Sequence, residues 1–396
     1  MSASNLWLRA TTFLAACVLG ALVASCGGGA SDVAGVGSGG TGITPVTRLG
    51  TISGFGSVFV NGVRYDDSNA TISDDDGVRN RSELKLGMVV RLEAQVSTGG
   101  SATATSITFA SELLGPVSAI SASGGEFTII GQRVLIDSAT VFDPSLPQGA
   151  ASIQIGQILE VHGFLNAANN TLQASLIERK ANASQYKLSG IVRQLQNASK
   201  TFQIGSEIIS FANVATADLP PGLIDGLSVK LRLLPQQVAA GTAWQLTKAR
   251  SNEPGNTVIE NLEIEGIVTD LTSPTQFKVN NQLINARNAA ILPSGAVVQQ
   301  GARVQVEGKL QDGVLLASEV EIKNVSDQRI ELIGTISNLN TSATSFSVAG
   351  VSVNYSAAQF ENGSAAALIN GARIELRGKP APGSAIISAE RIKFKN

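Results

Sequence analysis

The feature that most constrains this chain is an internal repeat of about 70 residues, because a unit copied five times must reach the same local fold five times. Five segments open alike, near Leu49 (LGTISGFGS), Leu114 (LGPVSAISA), Leu188 (LSGIVRQLQ), Ile264 (IEGIVTDLT) and Leu332 (LIGTISNLN). Each opening alternates apolar and polar residues, the period-2 mark of a half-buried strand. A second strand follows with an aromatic at its start: Phe59, Phe127, Phe202, Phe277 and Phe346. The turns after it, such as Asn61-Gly62, carry residues that tolerate positive φ in tight hairpins. A third strand comes next (VRYDD, RVLID, EIISF, QLINA, VSVNY), then a variable stretch ending in Gly or its near equivalent. The clearest strand is the fourth (MVVRLEA, QILEVHG, LSVKLRL, ARVQVEG, ARIELRG), and a short fifth closes each unit.

Five strands with room for a helical turn after the third is the strand order of an OB-type barrel. A five-stranded sandwich-like unit fits the same pattern. The fold class expected is all-β: a tandem array of five small five-stranded OB-like barrels after a lipoprotein signal peptide and flexible tether. Repeats are expected at 49–110, 113–179, 187–250, 263–323 and 331–396. Units of this size bury only about 60% of their unfolded surface, so packing between neighbours should matter.

The N-terminus has a weak positive region at Arg9, then an apolar stretch from Ala10 to Val23. That is shorter than the roughly 20 residues of a membrane-spanning helix and ends in small residues, so residues 1–25 read as a signal peptide. Leu22-Val23-Ala24-Ser25-Cys26 resembles the bacterial lipobox. The resemblance implies a diacylglycerol thioether on Cys26, acylation of the new amine, and membrane attachment through that anchor. Gly27 and Gly28 follow, with no Asp, which in such lipoproteins favours the outer membrane. Residues 26–48 are the lipidated Cys and a Gly-rich tether. Cys17 lies in the discarded segment, so the exported chain has no disulfide to form.

Residues 49 to 96, with GTISGFGSVFVNGVRYDD, ATISDDDG and LKLGMVVRLEA, resemble a bacterial domain-of-unknown-function family found as tandem copies in exported lipoproteins. The resemblance implies small OB-like β units and export, and no activity. It is strongest in the first repeat and weakens along the chain, where repeats four and five keep mainly the Gly and apolar skeleton.

Charged residues are 15% of the chain and the net charge is -2, so charge announces neither an acidic nor a basic partner. Single strands stack on aromatics in OB grooves, but here the Phe column alternates as a core position does, and no nucleic acid partner is expected. His162, the one histidine, stands in the column of Glu93, Arg232, Glu307 and Arg377, which reads as the outward, solvated face of the fourth strand. Gly37 to Gly42 matches G-x-G-x-x-G without the strand and helix that the dinucleotide site needs. Ser82–Lys85 and Ser184–Lys187 match S-x-x-K without its companion boxes.

The one concentration of charge is acidic: Asp66-Asp67 and Asp74-Asp75-Asp76-Gly77. Asp74, Asp76, Asn80 and Glu83 fall on EF-hand positions, but Ile72 occupies the first and offers no oxygen. A weak Ca²⁺ site including Asp66 is the alternative to an exposed loop that keeps a strand edge soluble. No catalytic residue and no cofactor are expected. The leading reading is a non-catalytic envelope scaffold or adaptor for a protein or glycan partner. The alternative is a lipoprotein binding a small ligand, saccharide or Ca²⁺ in repeat 1.

Overall fold

The computed structural model describes residues 42–166, 168–239, 241–252, 257–325 and 328–395. Cys26, the signal peptide and nearly all of the tether lie outside the described residues. Among the described residues the chain forms 31 strands and only short 3-10 turns, so the fold is all-β.

Period-2 patterning becomes structure most plainly in the fourth strand of repeat 1, Val89–Ser97. Val90, Leu92, Ala94 and Val96 point inward, while Arg91, Glu93 and Gln95 face solvent. Side chains alternate across a strand, so one apolar face turned to a core specifies the register.

Repeat 1 has its first to fifth strands at Ile43–Phe55, Val58–Val60, Val63–Tyr65, Val89–Ser97 and Ala102–Phe109. The first pairs antiparallel with the second and the second with the third. The fourth lies antiparallel between the first and the fifth. A parallel bridge at Asp66 and an extra strand, Thr71–Asp74, join the third-strand side to the fifth and close the circuit. The same circuit of pairings recurs in the other four repeats, shown by the parallel contact that closes each. In all five, the register shifts at one place in the fourth strand, after Glu93, His162, Arg232, Glu307 and Arg377. A bulge there bends the strand, which lets a five-stranded circuit close. The expected turn of helix before the fourth strand is a 3-10 turn in repeats 1, 2, 3 and 5.

The expectation of five discrete barrels is corrected by the pairing between repeats. The repeats stack edge to edge in a β-solenoid-like way. Those of repeats 1, 4 and 5 share a 19-stranded hydrogen-bonded system, and those of repeats 2 and 3 a 12-stranded one. Thr47–Leu49 runs parallel to Leu262–Ile264 of repeat 4, and Gly54–Phe55 to Glu331–Leu332 of repeat 5. Lys187–Leu188 pairs antiparallel with Leu113–Leu114, joining repeats 3 and 2. The cores merge accordingly: repeats 1 and 5 share one apolar cluster, repeats 2 and 3 another, and repeat 4 has its own. Small units gain burial this way that each lacks alone.

Gly54 marks the repeat 1–5 contact. A Cβ there would sit 2.1 Å from the Glu331 carbonyl oxygen, inside the backbone of the paired strand. Gly54→Ala is therefore expected to lower stability by about 1–3 kcal/mol, whereas Gly42→Ala, in open space, should change nothing. Urea unfolding of the two variants beside the parent checks this; equal midpoints would contradict the close approach.

Buried polar groups fix how repeat 4 meets repeat 1. Arg48 pairs with Glu263 at 3.3 Å, Asn61 Nδ2 donates to Glu263 Oε1 at 2.6 Å, and Thr51 Oγ1 donates to Glu265, whose other oxygen pairs with Arg303 of its own repeat at 2.8 Å. Removing one partner of such a pair strands a buried charge, so these contacts hold one packing against alternatives.

Candidate functional site

The fourth and fifth strands of repeat 2, Ile158–Asn166 and Thr171–Lys180, depart from the half-buried pattern and are largely buried on both faces. Repeat 1 covers the face that is exposed in its own equivalent strand: Ser175 Oγ donates to the Gly87 carbonyl oxygen at 2.6 Å. His162 therefore does not lie on a solvated face. It is 2% exposed, whereas Glu93 in the same column of repeat 1 is exposed. The physical reason is that alternation shows only which face a strand turns to its own core. It carries no information about a neighbour on the other side.

Glu160 and His162 share that covered face, and Glu178 stands directly opposite Glu160 on the next strand. Like charges directly opposite repel, and three lysines compensate them. Lys180 Nζ bridges Glu160 Oε2 at 2.7 Å and Glu178 Oε2 at 3.1 Å. Lys85 of repeat 1 reaches Glu178 at 2.6 Å and Asp143 at 2.7 Å. Lys187 of repeat 3 lies 3.5 Å from Glu160 and donates to Ser111 Oγ, which donates to Glu160 Oε1 at 2.7 Å. One ion-pair network thus ties three repeats together.

Burial pushes the His162 imidazole below its ordinary pKa, so it is neutral at neutral pH. Burial opposes ionisation of Glu160, but Lys180 and Lys187, joined by His162 in the acid range where it takes up its proton, outweigh it and bring the carboxyl down to about 2. Donor atoms of Glu160, His162 and Glu178 lie within 4.8 Å of one another. Neutral imidazole and ionised carboxylates are the states that a transition metal requires. The ammonium groups, however, already occupy both Glu160 oxygens and one Glu178 oxygen. The lysines thus hold the carboxylates in an ion-pair network at the junction, while His162 Nδ1 and Glu178 Oε1 are buried without a hydrogen-bond partner.

The network borders a cleft of about 790 Å³ between repeats 1, 2 and 3, also lined by Asp74, Asp76, Arg79, Glu83 and Arg232. A second cleft, of about 420 Å³, adjoins it and shares Ser111, Lys187 and Arg232. Its lining also includes Arg91, Lys230, Lys248, Arg250, Asp75 and Glu112, with Asn280 and Asn281 from repeat 4.

The acidic segment of repeat 1 is a hairpin, not an open loop: Thr71–Asp74 pairs with Gly77–Val78. Its candidate cation ligands do not converge. Asp74 Oδ1 accepts from the amides of Asp76 and Gly77, and its Oδ2 pairs with Arg79 at 2.7 Å. Asp76 pairs with Arg232 of repeat 3 at 2.8 Å, with Asp75 3.9 Å from the same group. Glu83 accepts from the Asn80 amide in a capping box around the 3-10 turn Arg81–Glu83. Asp66 accepts from the Ser68 amide, and Asp67 holds Arg81 through both carboxylate oxygens. These carboxylates bind arginines and backbone, and they join repeat 1 to repeat 3. Nothing local in the sequence points to Lys85, Lys187 and Arg232, because their partners lie one or two repeats away.

No curated protein matches the chain. Among solved structures, drosophila Unr CSD456 aligns over 54% of this chain and 98% of its own, at 10% identity and a TM-score of 0.14. That likeness carries no argument about this chain. A family model described as "Domain of unknown function (DUF5666)" matches residues 45–108, 115–178, 265–321 and 333–393. Repeats 4 and 5 are thus matched and repeat 3 is not, so similarity does not simply decline along the chain as the sequence reading expects. Matched over more than half its length, the chain belongs to the domain-of-unknown-function family DUF5666.

Proposed function

We propose that this chain is a non-catalytic envelope lipoprotein, anchored through Cys26, whose stacked OB-like repeats act as an adaptor for a glycan or protein partner. The observation that supports this reading is the pair of adjoining clefts where repeats meet. Their walls combine side chains from repeats 1, 2, 3 and 4, a surface that no single repeat possesses. Ligand sites favour such junctions between units, where concave polar surface is already formed. The OB-type reading of each repeat is supported by the closed strand circuit with its parallel third-to-fifth contact.

Two arms test it. Cys26→Ser should abolish palmitate incorporation and release the chain from the membrane fraction; unchanged labelling would remove the anchor. The chain from Cys26 onward, immobilised, should retain either sacculi and envelope glycan or a defined envelope protein in a saturable way. Retention of neither, by chain with intact β-sheet circular dichroism, would overturn the adaptor reading.

A further inference from the structure

The outward face of repeat 3 carries rows of like charge. Its first, fourth and fifth strands are Tyr186–Ile191, Ser228–Gln237 and Ala243–Ser251. Lys187 stands directly opposite Arg232, which stands directly opposite Lys248. One step along, Lys230 stands opposite Arg250. Five cations therefore sit at neighbouring cross-strand positions, the arrangement in which like charges repel most. Other repeats place different residues there: Arg91 opposite Thr108 and Glu93 opposite Ser106 in repeat 1, and Glu160 opposite Glu178 in repeat 2.

Internal acids answer this charge only in part. Glu112 pairs with Lys230 at 2.6 Å, Asp76 with Arg232 at 2.8 Å, and Asp218 reaches Lys248 only at 3.8 Å. Lys187 is engaged by Ser111 and Glu160. These cations line the cleft of about 420 Å³, where Arg91 joins them from repeat 1. Two acids, Asp75 and Glu112, line it with them, in a chain whose net charge is -2. Arg91 is paired with Glu93 at 3.1 Å, but the wall as a whole carries more cations than acids; a concave surface with such an excess concentrates field and counterions, and this volume suits a small ligand.

We propose that this cleft binds a small ligand carrying phosphate or carboxylate groups. Arg250 offers a planar fork for carboxylate or phosphate oxygens and Lys248 a point charge, while Arg232, held by Asp76, adds positive charge to the wall. The proposal deepens the adaptor reading by naming the chemistry that one of its clefts would recognise, and it rests on that reading for its biological context.

Inorganic pyrophosphate is the probe, titrated into the chain from Cys26 onward by calorimetry at constant ionic strength. Saturable binding with a rise in melting temperature is expected. Lys248→Gln/Arg250→Gln, at partly exposed positions, should weaken binding about tenfold or more. Lys309→Gln/Lys379→Gln, which removes the same charge elsewhere, should leave it unchanged. No saturable heat at millimolar pyrophosphate, or equal loss in both double variants, would overturn the site. Competition with glucuronate and with phosphatidylglycerol vesicles separates a soluble ligand from a lipid headgroup. Vesicle binding that pyrophosphate does not displace would overturn the small-ligand assignment, as would an oligonucleotide that binds more tightly than pyrophosphate. Envelope retention that survives Lys248→Gln/Arg250→Gln would overturn this inference and leave the adaptor reading standing.

Discussion

Replacing Phe277 by alanine is expected to lower the unfolding free energy by about 3–5 kcal/mol. The side chain is fully buried, and it shares with Leu262, Ile264, Val268, Val279 and Ile284 a cluster whose buried members all come from repeat 4, with Leu49 of repeat 1 packed against it. The deletion removes the transfer free energy of a large ring and leaves a cavity that close-packed surroundings fill only in part. Repeats 1 and 5 share a core, as do repeats 2 and 3, so repeat 4 has least apolar support from others. Its attachment to repeat 1 runs through the parallel strand contact and the buried Arg48–Glu263 pair. Hydrogen exchange in Phe277→Ala should therefore accelerate first in Arg303–Gln311, while Ile158–Asn166 of repeat 2 keeps its protection. Uniform acceleration along the chain would show that the five repeats unfold as one cooperative body and that repeat 4 is not separable.

The same Phe column shows how much of the fold is legible in the sequence. Phe127, Phe202, Phe277 and Phe346 stand at one register position of their hairpins and are buried, but Val58 takes that position in repeat 1, where Phe59 lies one residue on and turns to the other face. Strand positions and the core face follow from period 2, since each is a local consequence of pleating. What joins the repeats is not local. Nothing in Thr47–Leu49 announces a parallel partner more than two hundred residues away. Gly54 is a visible glycine, but its reason is the Glu331 carbonyl that approaches it. His162 is the clearest case. In its own repeat it occupies the outward column, and only the neighbour at Gly87 and Ser175 makes that column interior. The basic rows of repeat 3 were present in LSVKLRL and QLTKARS, yet an overall charge near neutrality concealed them. Their pairing opposite one another is a property of register between strands.

Acidification should release the junction of repeats 1, 2 and 3 before it disturbs the other cores. Glu160 has its carboxyl pKa lowered from 4.5 to about 2, so its contribution to stability is present above 4.5 and is lost as the pH falls toward 2. A depression of that size corresponds to about 3 kcal/mol. His162 acts in the same direction. Its folded pKa is below the ordinary 6.5, so from 6.5 downward the unfolded chain takes up the proton first, and folding loses free energy as the pH drops. The charged groups facing this pair are Glu178, Lys180, Lys187 and Lys85, with Asp143 beyond Lys85. Glu263 works the other way: burial raises its carboxyl, so the folded state gains relative to the unfolded one as it protonates. That group lies at the repeat 1–4 contact, and a variant separates the two effects. In Glu160→Gln the steep fall in stability below about pH 4.5 should flatten, because the side chain no longer titrates. In His162→Gln the earlier slope, beginning near 6.5, should disappear and the later one should weaken, because the imidazolium helps to depress the Glu160 carboxyl. Urea unfolding across this range, followed by hydrogen exchange in Thr171–Lys180, reads both. A parent-like pH profile in Glu160→Gln would mean that the lysine network does not govern acid stability, and the junction would lose its place as the weak point.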